Sequence, residues 1–258
     1  MPRYFLELAY NGTAYRGWQT QLTAPSVQSE LERAMRSILH RDRIALVGCG
    51  RTDTGVHASR YYAHFDEERE LDQRFVHGLN SLLPADIAVY RIIPVDEKAH
   101  ARFSATERGY VYRININKDP FLIARSHQLR PVLDIDRMNK ACEVLLETKD
   151  FASFCRTGSD NRTTICDVRE AMWQIQPNGY RFSIKADRFL RNMVRAIVGT
   201  CLKIGKGHRP VEHMAEVIAA KDRHAAGKSA AAGGLYLDHV LYPFIDPDPR
   251  PLNTALCA

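Results

Sequence analysis

The chain of 258 residues is long enough for one large or two small domains with a buried core. Its 45% hydrophobic and 26% charged residues are typical of a globular protein. No apolar run reaches the roughly 18 residues of a membrane span. The net charge of +6 favours an anionic partner such as nucleic acid. The six cysteines lack zinc-site spacing and indicate buried thiols, so we expect a cytoplasmic protein without a metal or a membrane anchor.

The first part of the chain alternates between strand and helix patterns in the order β-α-β-β-α-β. The predicted strands cover 3–10, 44–49, 61–65 and 87–93. Ser26 and Asp72 each precede apolar residues at helical spacing and predict the starts of two helices, the second of which Pro84 ends. This order is typical of a ferredoxin-like unit, in which helices cover one face of an antiparallel sheet.

The rest of the chain repeats this mixture. Predicted strands cover 109–117, 165–175, 180–186 and 235–242, and predicted helices begin near 135, 187 and 211. A strand that leads into a helix occurs both in 4–38 and in 180–204, which indicates two related halves.

We therefore predict an α+β fold of two ferredoxin-like halves, which form a continuous, mainly antiparallel sheet with helices on one face and a cleft between the halves. The predicted boundaries are 1–105 and 106–245 for the two halves and 246–258 for an extended tail.

A glycine-rich polar loop follows the second predicted strand. It reads Gly50-Arg51-Thr52-Asp53-Thr54-Gly55-Val56-His57-Ala58. Glycine lets the backbone approach a ligand closely, and Asp53 can be held beside Arg51 and His57. Two other interpretations are open: Asp53 forms an Asx turn, or Asp53-Thr54-Gly55 is an aspartic protease motif. The protease interpretation is disfavoured because Arg51 opposes proton sharing between carboxylates and no second such motif exists.

Arginines form a second polar group, on the helix predicted from Asp187. Arg188, Arg191 and Arg195 have the spacing of one helical face. Such a face is either solvated or binds phosphates through bidentate hydrogen bonds. The basic residues within 203–209 extend the predicted positive surface.

Two tyrosines form a third group. Tyr110 and Tyr112 alternate along a predicted strand and therefore share one of its faces. They are either buried with satisfied hydroxyls, or a ring stacks on an extruded base.

Several motifs, in a common order along 10–242, resemble the bacterial tRNA pseudouridine synthase A family. They include Tyr10-Asn11-Gly12, Tyr15-Arg16-Gly17-Trp18-Gln19, Gly50-Arg51-Thr52-Asp53, Gly55-Val56-His57-Ala58, His100-Ala101-Arg102-Phe103-Ser104-Ala105-Thr106, Tyr110 with Tyr112, Met193-Val194-Arg195 and Gly234-Leu235-Tyr236-Leu237. One motif alone would be weak evidence, but the common order of all these motifs makes the resemblance specific. Asn11 and Ala99 stand where the family usually has Asp and Phe, which bears on RNA contacts rather than on the reaction.

The resemblance implies an enzyme that isomerises uridine to pseudouridine at positions 38, 39 and 40 in the anticodon stem-loop of tRNA. In that reaction the base is detached at N1, turned and rejoined to the ribose through C5, which requires no cofactor and no metal. The resemblance also makes the predicted cleft catalytic and implies a homodimer, so tRNA and a second copy are the implied partners. The alternatives are a pseudouridine synthase acting on another RNA and a non-catalytic RNA-binding protein.

The resemblance assigns roles to individual residues. It implies that Asp53 is the nucleophile, attacking either C1′ of the ribose or C6 of the pyrimidine, and that Arg195 pairs with its carboxylate. Tyr110 is implied to stack on the target ring, which has to leave the RNA stack to reach Asp53. The remaining predicted substrate-binding residues are Arg51, His57 and Arg188.

Overall fold

The computed structural model describes residues 1–158 and 162–246, so the predicted tail lies outside the described residues except for its first residue. The described chain forms two compact units. The first contains Met1–Thr106 together with 237–246, and the second contains Glu107–Tyr236. Residues 237–246 therefore belong to the first unit although they lie at the end of the described chain.

The first unit follows the predicted order of elements. These are β1 (Arg3–Tyr10), α1 (Val27–Leu39), β2 (Val47–Gly48), β3 (His57–Asp66), α2 (Gln73–Leu82) and β4 (Ile87–Val95). The strands are ordered β4-β1-β3, β2 pairs with β3, and each of these pairs is antiparallel. This is the strand order of a ferredoxin-like unit.

The central strand β1 is buried on both faces. Phe5 and Leu6 are adjacent in the strand, so their side chains point to opposite faces, and both are fully buried. Leu6 lies opposite Ala63 on β3, and the Phe5 ring meets Tyr242 edge-on with 5.3 Å between the ring centroids. Burial on both faces explains why the sequence of β1 is apolar almost throughout.

Both predicted helix starts in this unit are confirmed. Ser26 Oγ accepts a hydrogen bond from the Ser29 amide at 3.1 Å, and the Ser26 amide donates to Ser29 Oγ at 3.1 Å. At the start of α2, the Asp72 carboxylate accepts from the Arg74 amide at 2.9 Å. These caps satisfy amides that the first helical turn leaves without an intrahelical partner.

The second unit begins with β5. Its elements are β5 (Glu107–Asn115), β6 (His127–Gln128), α3 (Ile135–Glu147), β7 (Val168–Gln176), β8 (Gly179–Ala186), α4 (Met193–Gly205), α5 (His213–Ala220), α6 (Arg223–Ala226) and the start of β9 (Leu235–Leu241). The strand order β5-β8-β7 is antiparallel, β6 pairs parallel with β5, and α3 packs on β7. The predicted α+β class with a mainly antiparallel sheet is confirmed.

The internal repeat differs from the predicted one. In the first unit β1 lies beside β3, and β3 lies beside β2; in the second unit β5 lies beside β8, and β8 lies beside β7. The segment β1–α1 therefore corresponds to β5–α3. The strand–helix segments 4–38 and 180–204, from which the sequence predicted two related halves, are not equivalent to each other, because a strand followed by a helix occurs twice within each such unit.

The predicted start of the arginine-bearing helix is also wrong, since α4 begins at Met193 rather than near Asp187. Asp187 Oδ1 accepts hydrogen bonds from the amides of Asp167 at 2.7 Å and Arg188 at 2.8 Å. Asn192 then adopts the left-handed conformation with φ 65°, which cannot continue a right-handed helix. Arg188 and Arg191 precede α4, so the predicted three-arginine helix face does not exist.

A buried histidine on β3 makes the stability of the first unit sensitive to pH. His64 Nδ1 accepts the Ala101 amide at 3.1 Å, and burial, together with the charges of Arg3 and His100, lowers the pKa of His64 to about 4. Its contribution should be complete above about pH 6.5 and should be lost as the pH falls towards 4, because the unfolded chain binds the proton more readily. Urea unfolding at pH 7 and pH 5 should show this loss.

The matched variant for this measurement is His64→Asn, whose amide oxygen can accept the same hydrogen bond without titrating. It should have a flatter dependence of unfolding free energy on pH between 7 and 5. An unchanged slope in the variant would show that other groups cause the loss.

Candidate active site

The loop that carries Asp53 joins β2 to β3 through a tight turn. The Val56 amide donates to the Asp53 carbonyl at 3.1 Å. Gly55, at the third position of this four-residue turn, has φ +75°, which only glycine adopts without strain. The turn places the half-buried Asp53 at its first position and the exposed Thr54 at its second.

Backbone from the segment after β1 is pressed against this loop. The Trp18 amide donates to the Thr52 carbonyl at 3.4 Å, and the Gly55 amide donates to the Tyr15 carbonyl at 3.3 Å. A Cβ atom on Gly17 would lie 2.2 Å from the Thr52 oxygen, and one on Gly12 would lie 2.0 Å from the Val56 oxygen. Glycine is therefore required at both positions for this close approach.

Three buried aromatic side chains pack together and support the loop. The rings of Trp18 and Tyr61 stack with 4.0 Å between their centroids, and Tyr10 lies 5.6 Å from Tyr61. Tyr61 donates its hydroxyl to the Gly50 carbonyl, and the hydroxyls of Tyr10 and Thr52 are 2.8 Å apart. The residues on the N-terminal side of Asp53 are thus held by packing and by hydrogen bonds.

The two basic residues beside Asp53 lie in different environments. His57 is only 1% exposed, and its Nδ1 accepts the Gly12 amide at 3.1 Å. Arg51 is exposed. His57 therefore connects the loop to the segment after β1, whereas Arg51 is accessible to a ligand.

In the second unit, the two tyrosines of β5 lie in different environments. Tyr112 is buried; its hydroxyl donates to the Ala231 carbonyl at 2.9 Å and lies 3.0 Å from His127 Nδ1. Burial raises the pKa of Tyr112 above its ordinary value. Tyr110 is partly exposed, and its ring meets Phe189 edge-on at 5.1 Å. Tyr112 is thus a core residue, while Tyr110 is partly exposed.

Arg195 lies in the first turn of α4 and is held by the segment before β9. Its Nε donates to the Ala230 carbonyl at 2.8 Å, and the Ala230 amide donates to the Arg195 carbonyl at 2.9 Å. Ser229 Oγ in turn lies 2.7 Å from Asn192 Nδ2 and 2.7 Å from an Arg223 nitrogen. The guanidinium plane of Arg195 is therefore oriented by the backbone beside it.

Comparison with known proteins identifies the family. A family model described as tRNA pseudouridine synthase matches residues 141–243. A tRNA pseudouridine synthase A from Parabacteroides distasonis is 47% identical, over 94% of this chain and 97% of the relative. Those from Porphyromonas gingivalis and Bacteroides thetaiotaomicron are 46% and 47% identical, over 94% of this chain and 98% and 91% of the relatives. The chain belongs to the tRNA pseudouridine synthase A family.

Membership makes this chain an enzyme of the isomerase class, as the motifs predicted. It also decides against the aspartic protease and against an RNA-binding protein without chemistry. The described part of this pseudouridine synthase has no cluster of three or more His, Cys, Asp or Glu side chains placed to bind a metal ion. Among the same residues, no helix is long and apolar enough to cross a membrane.

The predicted site residues of the pseudouridine synthase are divided between the two units. Arg51, Asp53 and His57 belong to the first. Tyr110, Arg188 and Arg195 belong to the second. Sequence reasoning had not singled out Tyr10, Trp18 and Tyr61 as supports of the loop, although two of them lie in motifs shared with the family. Their isolated positions in the sequence give no sign that they meet.

Proposed function

We propose that this enzyme isomerises uridine to pseudouridine at positions 38, 39 and 40 of the anticodon stem-loop of tRNA, in the cytoplasm and as a homodimer. The proposal rests on the Asp53 loop, which backbone hydrogen bonds hold in place. This loop lies in a chain that is 47% identical to a tRNA pseudouridine synthase A over 94% of its length. In the reaction the N1–C1′ bond breaks and a C5–C1′ bond forms. The proton on C5 leaves and N1 gains one, so no cofactor or metal is needed to balance the atoms.

Asp53 is the nucleophile in this proposal. Its carboxylate has to be ionised to attack C1′ or C6, and a neighbouring guanidinium favours the ionised form. We assign that partnership to Arg195, whose orientation by Ala230 and half-buried position suit a lasting carboxylate partner. The backbone contacts on both sides of Asp53 support its role, because a nucleophile held in place loses little entropy on reaching the reacting atom.

Tyr110 is the proposed partner of the target ring. Its partly exposed aromatic ring can stack on the uracil, and its hydroxyl can assist in removing the C5 proton. Tyr112 cannot take this role, because its ring is buried and its hydroxyl donates to the Ala231 carbonyl.

The target uridine has to leave the RNA stack before it reaches Asp53, which costs a few kcal/mol. Arg51 is exposed beside the nucleophile and can hold the flipped nucleotide or fill the space that it vacates. Arg188 can contact an RNA phosphate from the segment before α4. The burial of His57 gives it a positioning role, in which it supports the loop through the Gly12 amide.

Mapping of pseudouridines in cellular tRNA tests the proposal. Deletion of the gene should remove pseudouridine at positions 38, 39 and 40 and leave it at all other tRNA positions. Expression of the wild-type chain should restore it. Loss at other RNA positions with an intact anticodon stem would assign the enzyme to another substrate.

A further inference from the structure

An exposed aromatic ring stands on a turn that follows β4 in the first unit. Phe103 is 75% exposed, although Ala99 and Ala101 in the same segment are buried. A phenyl ring in water contributes little to folding, because it buries little apolar surface. The residues around Phe103 therefore indicate whether its ring can bind a ligand.

The turn 100–104 holds the backbone of Phe103 in place. His100 Nδ1 accepts the amides of Arg102 at 3.1 Å and Phe103 at 3.3 Å. Ser104 closes the turn, since its amide donates to the His100 carbonyl and its Oγ accepts the His100 amide, both at 2.9 Å. The His100 ring lies 4.4 Å from the Phe103 ring and supports one side of it.

The same turn is attached to the sheet below. The Ala101 amide donates to His64 Nδ1 on β3 at 3.1 Å, and the Ala101 carbonyl accepts from the Tyr242 hydroxyl. Both anchoring side chains are buried. Phe103 is therefore presented to solvent by a rigid support, so little conformational entropy is lost when a ligand stacks on it.

A cationic side chain, that of Arg102, lies close to the Phe103 ring. The exposed Arg102 guanidinium carbon lies 5.5 Å from the centre of the Phe103 ring. A flat ring beside a guanidinium is the combination that binds unpaired nucleotides, since the ring stacks on a base and the cation contacts a phosphate. A protein partner would gain less from the cation and would need a larger apolar patch.

This turn is remote from the nucleophile. It contacts β3 at His64, whereas the Asp53 loop enters β3 at His57, seven residues earlier. At ~3.3 Å per residue, the two ends of that stretch are about 23 Å apart. The nucleotide that meets Phe103 is therefore a different one from the target uridine.

We propose that Phe103 and Arg102 form a second RNA-binding site, which takes an unpaired nucleotide of the substrate by stacking its base on Phe103 and pairing its phosphate with Arg102. The proposal rests on the proposed function, because it assumes an RNA substrate large enough to reach both places. It adds a contact that selects a folded RNA over an isolated uridine.

Binding of an unmodified tRNA transcript, measured by fluorescence anisotropy, tests the stacking contact. Phe103→Ala should weaken binding about 5- to 150-fold, the range for loss of one stacked base. Phe103→Trp should retain the wild-type affinity and show fluorescence quenching beyond that of the two native tryptophans. The matched control is Ile175→Ala on β7, since Ile175 is 73% exposed and its loss should leave RNA binding unchanged. Equal affinities of Phe103→Ala and the wild type would overturn the proposal.

Two further measurements test the phosphate contact of Arg102 and distinguish RNA stacking on Phe103 from a contact with another protein. Arg102→Gln should reduce the slope of log affinity against log salt concentration by about one phosphate contact, and an unchanged slope would contradict the assigned role of Arg102. If Phe103→Ala changes the mass measured by sedimentation but not RNA binding, the ring contacts another protein and the proposal fails. Wild-type chain that binds the transcript without isomerising it would refute the proposed function while leaving the stacking site open to the same test.

Discussion

Replacement of Asp53 by asparagine should lower the rate of pseudouridine formation by at least ~10³-fold, as expected when a nucleophile is lost. Asparagine has nearly the same volume and keeps the backbone carbonyl that accepts the Val56 amide, so the turn should persist. An amide cannot form the covalent bond that an ionised carboxylate forms. Release of tritium from tRNA labelled at C5 of uridine measures the reaction directly.

Two comparisons complete this experiment. Binding of tRNA to Asp53→Asn should stay within a few-fold of the wild type, because the carboxylate contributes to the reaction more than to RNA affinity. Thr54→Ala, at the exposed neighbouring position, should keep wild-type turnover. Normal tritium release from Asp53→Asn would eliminate Asp53 as the nucleophile.

Replacement of Arg195 by lysine should lower the turnover rate by about 10²-fold, the effect of losing one aligned donor in an active site. Lysine keeps the positive charge, but its ammonium group cannot donate to the Ala230 carbonyl and hold a carboxylate in one plane. Initial rates at saturating tRNA measure this loss, because they report the reaction rather than RNA binding.

The control for Arg195→Lys is the same substitution in an exposed ion pair. Arg33 on α1 lies 3.0 Å from Glu30, and Arg33→Lys should keep turnover within about twofold, because such surface pairs contribute little. If Arg195→Lys retained the wild-type rate with unaltered thermal stability, the guanidinium would serve the fold and not the reaction.

Several elements were predictable from the sequence because short-range interactions decide them. Ser26, Asp72 and Asp134 each cap the helix that follows, with acceptor distances of 3.1, 2.9 and 3.0 Å. The partners of these caps are two or three residues away, so the local sequence contains the whole interaction. The largely apolar sequence of β1 was equally sufficient for its bounds, Arg3–Tyr10.

Asp187, near which a helix was predicted to begin, has another function in the fold. Its carboxylate accepts the amide of Asp167, twenty residues earlier in the chain, and the helix begins only after Asn192. A local pattern cannot show which distant amide will compete for a carboxylate. For the same reason the predicted grouping of Arg188 and Arg191 with Arg195 was wrong.

The sequence by itself determined the family of this enzyme and the residues proposed to act in it, since the Asp53 loop, Tyr110 and Arg195 lie in motifs recognisable without coordinates. Tertiary structure decided how each group is held and exposed. Tyr110 and Tyr112 share a strand face by periodicity, yet only packing buries one and leaves part of the other accessible. Tyr10, Trp18 and Tyr61 come together beneath the loop only in the folded chain. Contacts between residues distant in sequence depend on the whole fold, whereas the identity of a reactive group depends on one residue.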